Sequence, residues 1–437
     1  MVSIRHVLST LAAALTLALV PLSGAATAWA DSGPAPGPGG HGGHGGRGWV
    51  GTWEAAAAGT VPALPGNSIR NVVHTSVGGQ AARIRVSNRL GTAPLELGAA
   101  TVALQEAGAP KSPNAIAGTA RRITFHGRSS ATVPAGEDAV SDPVRLRVPA
   151  DTNLLITLYT PTDSGPATYH RSALQTSFLA PDGDHTADQD GAAFTATTSS
   201  WYYVTGVDVL SPRTPGSVVT LGDSITDGSG STASANRRWP DRLAARLREL
   251  PPRRQLGVLN AGISGNRVLL DGTGPSALSR LDADVFSRSG VRAMIVMEGI
   301  NDIKGSPNQT DPTAFADAYR GIVEQAHARG IRVIGGTITP YGGNGGYTEA
   351  REAVRQAVNE FIRNSGAFDA VVDFDAVVRD PADPHRILPA YDTGDHLHFN
   401  DTGLQAMADA VDLADLTEPA DPRGGRTEPV PAGSARG

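Results

Sequence analysis

Four short stretches of this chain carry side chains able to make and break covalent bonds. The first is Leu221-Gly222-Asp223-Ser224-Ile225-Thr226-Asp227-Gly228. A serine on a tight turn leaving a strand holds its hydroxyl clear of the sheet and turns its own N–H toward the same space, which suits a nucleophile. Gly-Asp-Ser alone is also a common turn. The second stretch is Asn260-Ala261-Gly262-Ile263-Ser264-Gly265-Asn266, where glycine at 262 lets a backbone N–H come close to a ligand oxygen. The third, Glu298-Gly299-Ile300-Asn301-Asp302, offers the carboxamide donor of Asn301. Singly, either would pass for an ordinary turn between strand and helix.

The fourth stretch is Asp392-Thr393-Gly394-Asp395-His396-Leu397-His398-Phe399-Asn400-Asp401. A serine nucleophile needs a base to take its proton, and the base needs an acceptor to fix its tautomer. An aspartate three residues before a histidine reaches it within one loop. In an extended loop His396 and His398 point to opposite sides, and the Asp-x-x-His spacing selects His398 with Asp395. Asp392 and Asp401 lie close enough to substitute for Asp395. The competing chemistry is metal binding, since two histidines and three aspartates can ligate zinc, but a zinc site leaves the other three stretches unexplained.

These stretches need elements to hold them. After Pro215, short apolar runs at Val218–Leu221, Leu256–Asn260, Ala293–Met297, Arg332–Gly335 and Ala370–Phe374 read as buried parallel strands. Helices alternate with them. One has Asp311 as N-cap, Pro312 at N1, then Phe315, Tyr319, Ile322, Val323 and Ala326 on one face, with Gly330 beyond its end. Another carries Val354, Ala357, Val358, Phe361 and Ile362 before Gly366. Five strands alternating with helices predict an α/β doubly wound sheet with its active site at the carboxyl ends of the strands, where every chemical motif falls.

Between Trp49 and about Leu210 the pattern is β instead. Alternation runs through Arg83–Ser87 and Val144–Val148, and β-rich runs cover Leu95–Leu104, Leu154–Tyr159 and Trp201–Val209, separated by Gly- and Pro-rich turns. An all-β sandwich, jelly-roll-like, is expected over 49–210, joined by a short linker at 211–216 to a catalytic domain at 217–416.

Composition bounds the function classes. The 437 residues contain no cysteine, which excludes a disulfide framework, a thiolate metal site and a cysteine nucleophile. The net charge is −6 and only two lysines are present, Lys111 and Lys304, so no basic footprint for nucleic acid exists. Residues 1–30 have the form of an export signal: Arg5 and His6, an apolar run from Val7 to Leu22 broken by Pro21, and a small-x-small site at Ala28-Trp29-Ala30. A secreted protein without a stable membrane anchor is expected. The Gly/Pro/His-rich leader at 31–48 and the tail at 417–437 lack the apolar residues to build a core and read as disordered.

Taken together, the four motifs resemble the SGNH, or GDSL-like, hydrolase superfamily over residues 217 to about 413. The whole segment from Trp49 is also similar to secreted actinobacterial esterase-like and lipase-like members, acetylxylan-esterase-like ones among them, with a β domain before the catalytic one. The resemblance implies a flavodoxin-like three-layer fold and acyl transfer to Ser224 and then to water, with no cofactor. It implies Asp395 and His398 as the partners of Ser224, and an oxyanion hole from the Ser224 N–H, the Gly262 N–H and the Asn301 side chain. Phe399 departs from the family pattern, which usually has proline after the histidine; a looser loop is the expected consequence. The implied substrate is a small-molecule or polysaccharide ester, acetyl or another short acyl group first. The glycine-rich loop Gly342–Gly346 between Tyr341 and Tyr347 is expected on the rim, where it would receive a sugar. The alternatives are a lipase for longer chains and an inert glycan-binding protein.

Overall fold

The computed structural model describes residues 48–417. The expected signal, and the leader and tail apart from Gly48 and Thr417, lie outside the described residues. Five parallel strands, β1 (Gly216–Gly222), β2 (Leu256–Gly262), β3 (Val291–Met297), β4 (Arg332–Gly336) and β5 (Ala370–Val372), form a sheet in the order β2-β1-β3-β4-β5. This is the doubly wound order in which the chain reverses direction beside β1. Successive strand residues point to opposite faces, so Val219 and Leu221 join one core with Ile322 and Val358, while Val218 joins another with Trp239, Leu243, Leu404 and Met407. Helices Pro312–His327 and Glu349–Asn364 cover the first face, and Trp239–Arg248 and Asp401–Ala410 the second. Asp311 caps the helix at Pro312 by accepting the Thr313 N–H at 2.8 Å.

The segment from Trp49 to Leu210 is antiparallel. A four-stranded sheet runs in the order Trp49–Glu54, Val204–Leu210, Ala82–Ser87, Asp138–Val140. A six-stranded sheet is centred on Asn67–Thr75 and Thr152–Thr160. Their inner faces share one core, with Ile84, Val86 and Val207 from the first sheet meeting Ile69, Val73, Leu154 and Ile156 from the second. This is a β-sandwich. Two expected strands break. Leu95–Leu104 divides at Gly98, and Trp201–Val209 divides at Tyr203, whose φ of 62° is left-handed. Val144–Val148 alternates in burial as its sequence does, yet it pairs only through isolated bridges at Val144 and Val148.

Strand β2 is an edge of the parallel sheet, and the sandwich covers it. The strand Trp49–Glu54 lies so close that a Cβ on Gly51 would sit 2.7 Å from Leu259, and the Val258 N–H donates to Ser76 Oγ at 2.9 Å. Arg288 reaches Glu54 at 2.8 Å, both fully buried, and the Arg85 guanidinium donates to the Ser287 carbonyl at 3.0 Å. Trp201 is 4 % exposed in the sandwich core, and the Arg238 guanidinium of the catalytic domain lies over its ring at 5.5 Å.

Candidate active site

Strand β1 delivers Ser224 onto a single helical turn, Ser224–Asp227. Asp223 caps that turn, its carboxylate accepting the Ile225 N–H at 2.9 Å, and Gly228 closes it at φ 105°. A β-carbon on Gly222 would lie 2.3 Å from Thr226 Oγ1, so only glycine lets the turn fold back this tightly. Ser224 is thereby held at the carboxyl end of β1 with its own N–H in the unpaired first turn of a helix.

The loop before the helix Asp401–Ala410 brings an imidazole to Ser224. Ser224 Oγ lies 2.8 Å from His398 Nε2, and His398 Nδ1 lies 2.6 Å from Asp395 Oδ2. The other Asp395 oxygen accepts the backbone N–H groups of Leu397 and His398 at 3.0 and 2.9 Å and the Thr393 hydroxyl at 3.0 Å. Partial burial pushes the Asp395 carboxyl up, but the His398 backbone N–H, the His398 ring and the Leu397 N–H outweigh it and hold the group down at about 2. The remaining acids of the loop are otherwise engaged. Asp392 Oδ2 lies 2.6 Å from His396 Nδ1, and Asp401 accepts from Thr232 and Arg237, each at 2.8 Å. Phe399 does not loosen this loop. It is fully buried in the core beside Leu404 and bridges back to Asp392, so it anchors the segment.

The donors differ from expectation at one position. The Gly262 N–H donates to Asn260 Oδ1 at 2.9 Å and is not free for an oxyanion. The same Asn260 side chain donates to the Thr226 carbonyl, so it ties β2 to the Ser224 turn. Beyond the strand, Ile263, Ser264 and Asn266 also spend their N–H groups, on Gly222 O, Asp227 Oδ2 and Ile263 O. Gly265, at φ 83°, has no acceptor for its N–H among the described residues. The signal that could have found it is a glycine three residues past the strand end, flanked by residues that can anchor the loop. Asn301 stands where expected, 8 % exposed; one of its amide hydrogens goes to the Asn266 carbonyl at 2.8 Å, which leaves the other.

Arg280, missed by sequence reasoning, ties these loops together. Its guanidinium donates to the Gly222 carbonyl at 3.1 Å, the Ala261 carbonyl at 2.5 Å and Asn266 Oδ1 at 3.1 Å. It also stands 3.7 Å from Glu298, whose carboxyl is pushed well above the usual range by burial, with Asp223 adding repulsion and Arg280 opposing. Burial likewise raises Asp223 to about 6, against the Ile225 N–H and the His398 charge. The Glu298 carboxyl therefore resists ionisation, whereas Asp223 still ionises at neutral pH.

The glycine-rich loop Gly342–Gly346 touches the catalytic loop, with the Asn344 amide donating to the Asp395 carbonyl at 2.9 Å. Tyr341 is fully buried and packs edge-on against Tyr347 at 5.3 Å, so its ring is core and not an exposed platform for a sugar.

A hydroxyl, an imidazole and a carboxylate in line, with backbone and amide donors beside them, can carry out acyl transfer. Residues 220–406 match the model of the GDSL-like Lipase/Acylhydrolase family. They form a GDSL-like acylhydrolase domain. Its chemistry is that of a carboxylic ester hydrolase. No curated protein shows significant similarity to the chain. Among solved structures, an acetylxylan esterase from Geobacillus stearothermophilus is 21% identical, over 44% of this chain and 91% of that one, with a TM-score of 0.35. A carbohydrate acetylesterase from Sinorhizobium meliloti is 20% identical, over 44% and 95%, with a TM-score of 0.33. A family two carbohydrate esterase from Cellvibrio japonicus is 12% identical, over 86% and 95%, with a TM-score of 0.34. The sandwich thus lies outside the matched acylhydrolase domain.

Proposed function

We propose that the protein is a secreted serine esterase that hydrolyses short-acyl esters, acetyl esters first and those on polysaccharide among them, through an acyl-serine intermediate. The observation that carries this reading is the line from Ser224 Oγ through His398 to Asp395, at 2.8 and 2.6 Å. His398 Nε2 takes the Ser224 proton as Oγ attacks the ester carbonyl, and gives it to the leaving alkoxide; water then repeats the sequence on the acyl-enzyme. Asp395, held ionised, keeps the Nδ1–H tautomer and stabilises the imidazolium. The developing oxyanion is met by the Ser224 N–H, the free amide hydrogen of Asn301 and the Gly265 N–H in place of Gly262. A donor of this kind contributes about 3–4 kcal/mol in a well-studied case.

The preference for short acyl groups is supported by the scatter of exposed large apolar side chains among the described residues: Ile116, Leu270, Leu278, Val371 and Val377. A long acyl chain needs a continuous apolar groove. One observation favours the lipase alternative, since Leu270, 46 % exposed, lies on the segment that follows Gly265. Secretion rests on residues 1–30; among the described residues no helix is long and apolar enough to cross a membrane. The deciding experiment is a series of p-nitrophenyl esters from acetate to palmitate, run beside acetylated xylan. The expected result is kcat/KM falling steeply beyond butyrate, with acetate released from the xylan. A maximum at octanoate or longer would make the enzyme a lipase.

A further inference from the structure

The mechanism above uses one histidine, yet a second is buried against the same helical turn and comes from the other half of the molecule. His170 ends the sandwich strand Ala167–His170 and is 3 % exposed. Its Nδ1 lies 2.8 Å from the Ala56 carbonyl and its Nε2 lies 3.0 Å from Asp227 Oδ1. The carbonyl can only accept, and so can the carboxylate when ionised, so with Asp227 ionised both nitrogens carry protons and the ring is an imidazolium. Burial opposes that charge and Asp227 favours it; the net direction is upward.

Asp227 is the last residue of the turn that begins with Ser224. Its second oxygen accepts both the backbone N–H of Ser264, at 3.0 Å, and the Ser264 hydroxyl, at 2.5 Å. Ser264 immediately precedes Gly265. A β-carbon on Gly262 would lie 2.2 Å from the Asp227 N, so the turn and the end of β2 meet backbone to backbone without slack. One carboxylate therefore fixes the Ser224 turn and the Gly265 loop relative to each other, and a residue of the sandwich fixes that carboxylate.

We propose that His170 is a positioning residue for acyl transfer: through Asp227 and Ser264 it sets the place of the Gly265 N–H relative to Ser224 Oγ, so the sandwich supplies part of the catalytic machinery. This rests on the reading of Ser224 as nucleophile. The pair makes no contact with substrate, so its loss is read in kcat and not in KM, because the interaction it protects forms with the oxyanion. Without His170, Asp227 is a buried carboxylate short of a partner, and it either takes up a proton or turns away. Either weakens the hold on Ser264. A displacement of about 1 Å in such a site costs up to about a hundredfold.

The test uses the full chain and four variants, His170→Ala, His170→Gln, Asp227→Asn and Ser264→Ala. Competent sites are first counted with a fluorophosphonate, and kcat and KM on p-nitrophenyl acetate are then measured per counted site. His170→Ala is expected to lose on the order of tenfold to a hundredfold in kcat, with KM within about twofold. His170→Gln keeps a donor toward Asp227 and is expected to recover most of that loss. If His170→Ala does not fold, Asp227→Asn and Ser264→Ala carry the test, each expected to lower kcat several-fold at constant KM. Wild-type kcat per counted site in His170→Ala, or in both Asp227→Asn and Ser264→Ala, would overturn the proposal, as would equal kcat in His170→Ala and His170→Gln. Failure of the reagent to label Ser224 in the unaltered enzyme would instead overturn the acyl-serine reading, and this inference with it.

Discussion

Two pairs of aspartate and histidine approach the Ser224 turn from opposite sides, and they differ in what the second ring nitrogen meets. At the carboxyl end of β1, His398 spends Nδ1 on Asp395 and presents Nε2 to the Ser224 hydroxyl, which can both give and take a proton. At the junction with the sandwich, His170 spends Nε2 on Asp227 and Nδ1 on a carbonyl, which can only accept. Exposure follows the same division. The side chains of His398 and Asp395 are 22% and 48% exposed, those of His170 and Asp227 only 3% and 5%. On the functions proposed here, the same two residue types serve as a proton carrier where one nitrogen is left to a hydroxyl, and as a clamp where neither is.

The comparison breaks most visibly at the open pair. His398→Ala is expected to lower kcat at least about a hundredfold, the scale of a general base, with little change in melting temperature because the ring is part-exposed. A steady-state assay on p-nitrophenyl acetate checks it. Asp395→Asn should fall in the same direction, since the amide can donate to Nδ1 and favour the wrong tautomer.

At the junction the expected damage is to stability. A chain beginning at Pro215 bares β2, Val258 and the buried Arg288, which keeps Asp284 but loses Glu54. It should be poorly soluble or melt well below the full enzyme, as exposed apolar surface would dictate. A melting temperature and kcat/KM equal to those of the full enzyme would mean that the sandwich is an independent module.

The clamp should also show a pH signature. The pKa of His170 is raised above its ordinary 6.5, the Asp227 charge prevailing over burial. Stability from such a group is fully present below its unfolded value and is lost as pH rises through the folded one. The melting-temperature gap between wild type and His170→Gln should therefore be widest at about pH 6 and narrow toward alkaline pH. A gap that widens with pH would contradict an imidazolium at the junction.

The smallest effect belongs to the third histidine. His396 pairs with Asp392 at 2.6 Å and is 41% exposed, and nothing places it against Ser224. His396→Ala is expected to change kcat by less than about threefold. A loss equal to that of His398→Ala would show that the two histidines act as one unit.

Much of the open pair was legible in sequence because its logic is local. Ser224 follows a strand run directly, and Asp395 and His398 lie three residues apart in one loop. The choice among Asp392, Asp395 and Asp401 needed coordinates, since it depends on which partner each acid already serves. Gly262 was misplaced for a related reason. Sequence showed a glycine near the strand end but not that Asn260 Oδ1 takes its N–H, which leaves the free N–H three residues later at Gly265. The clamp was not legible. His170 and Asp227 are 57 residues apart, in segments with different periodicities, and no local pattern links them. Arg280 was hidden likewise, because two of its acceptors are backbone carbonyls that sequence cannot place. The five parallel strands were found by their apolar runs, whereas Val144–Val148 had the right alternation and lacked a neighbour to pair along its length.

The central claim is that Ser224 is the nucleophile. The most direct measurement is peptide mass spectrometry of the full enzyme after reaction with a fluorophosphonate, beside Ser224→Ala treated in parallel. The account predicts one adduct, on the peptide containing Ser224, formed as hydrolysis of p-nitrophenyl acetate is lost, and neither adduct nor hydrolysis in Ser224→Ala with its fold intact. An adduct on any other residue that tracks the loss of activity, or hydrolysis retained by Ser224→Ala, would contradict it.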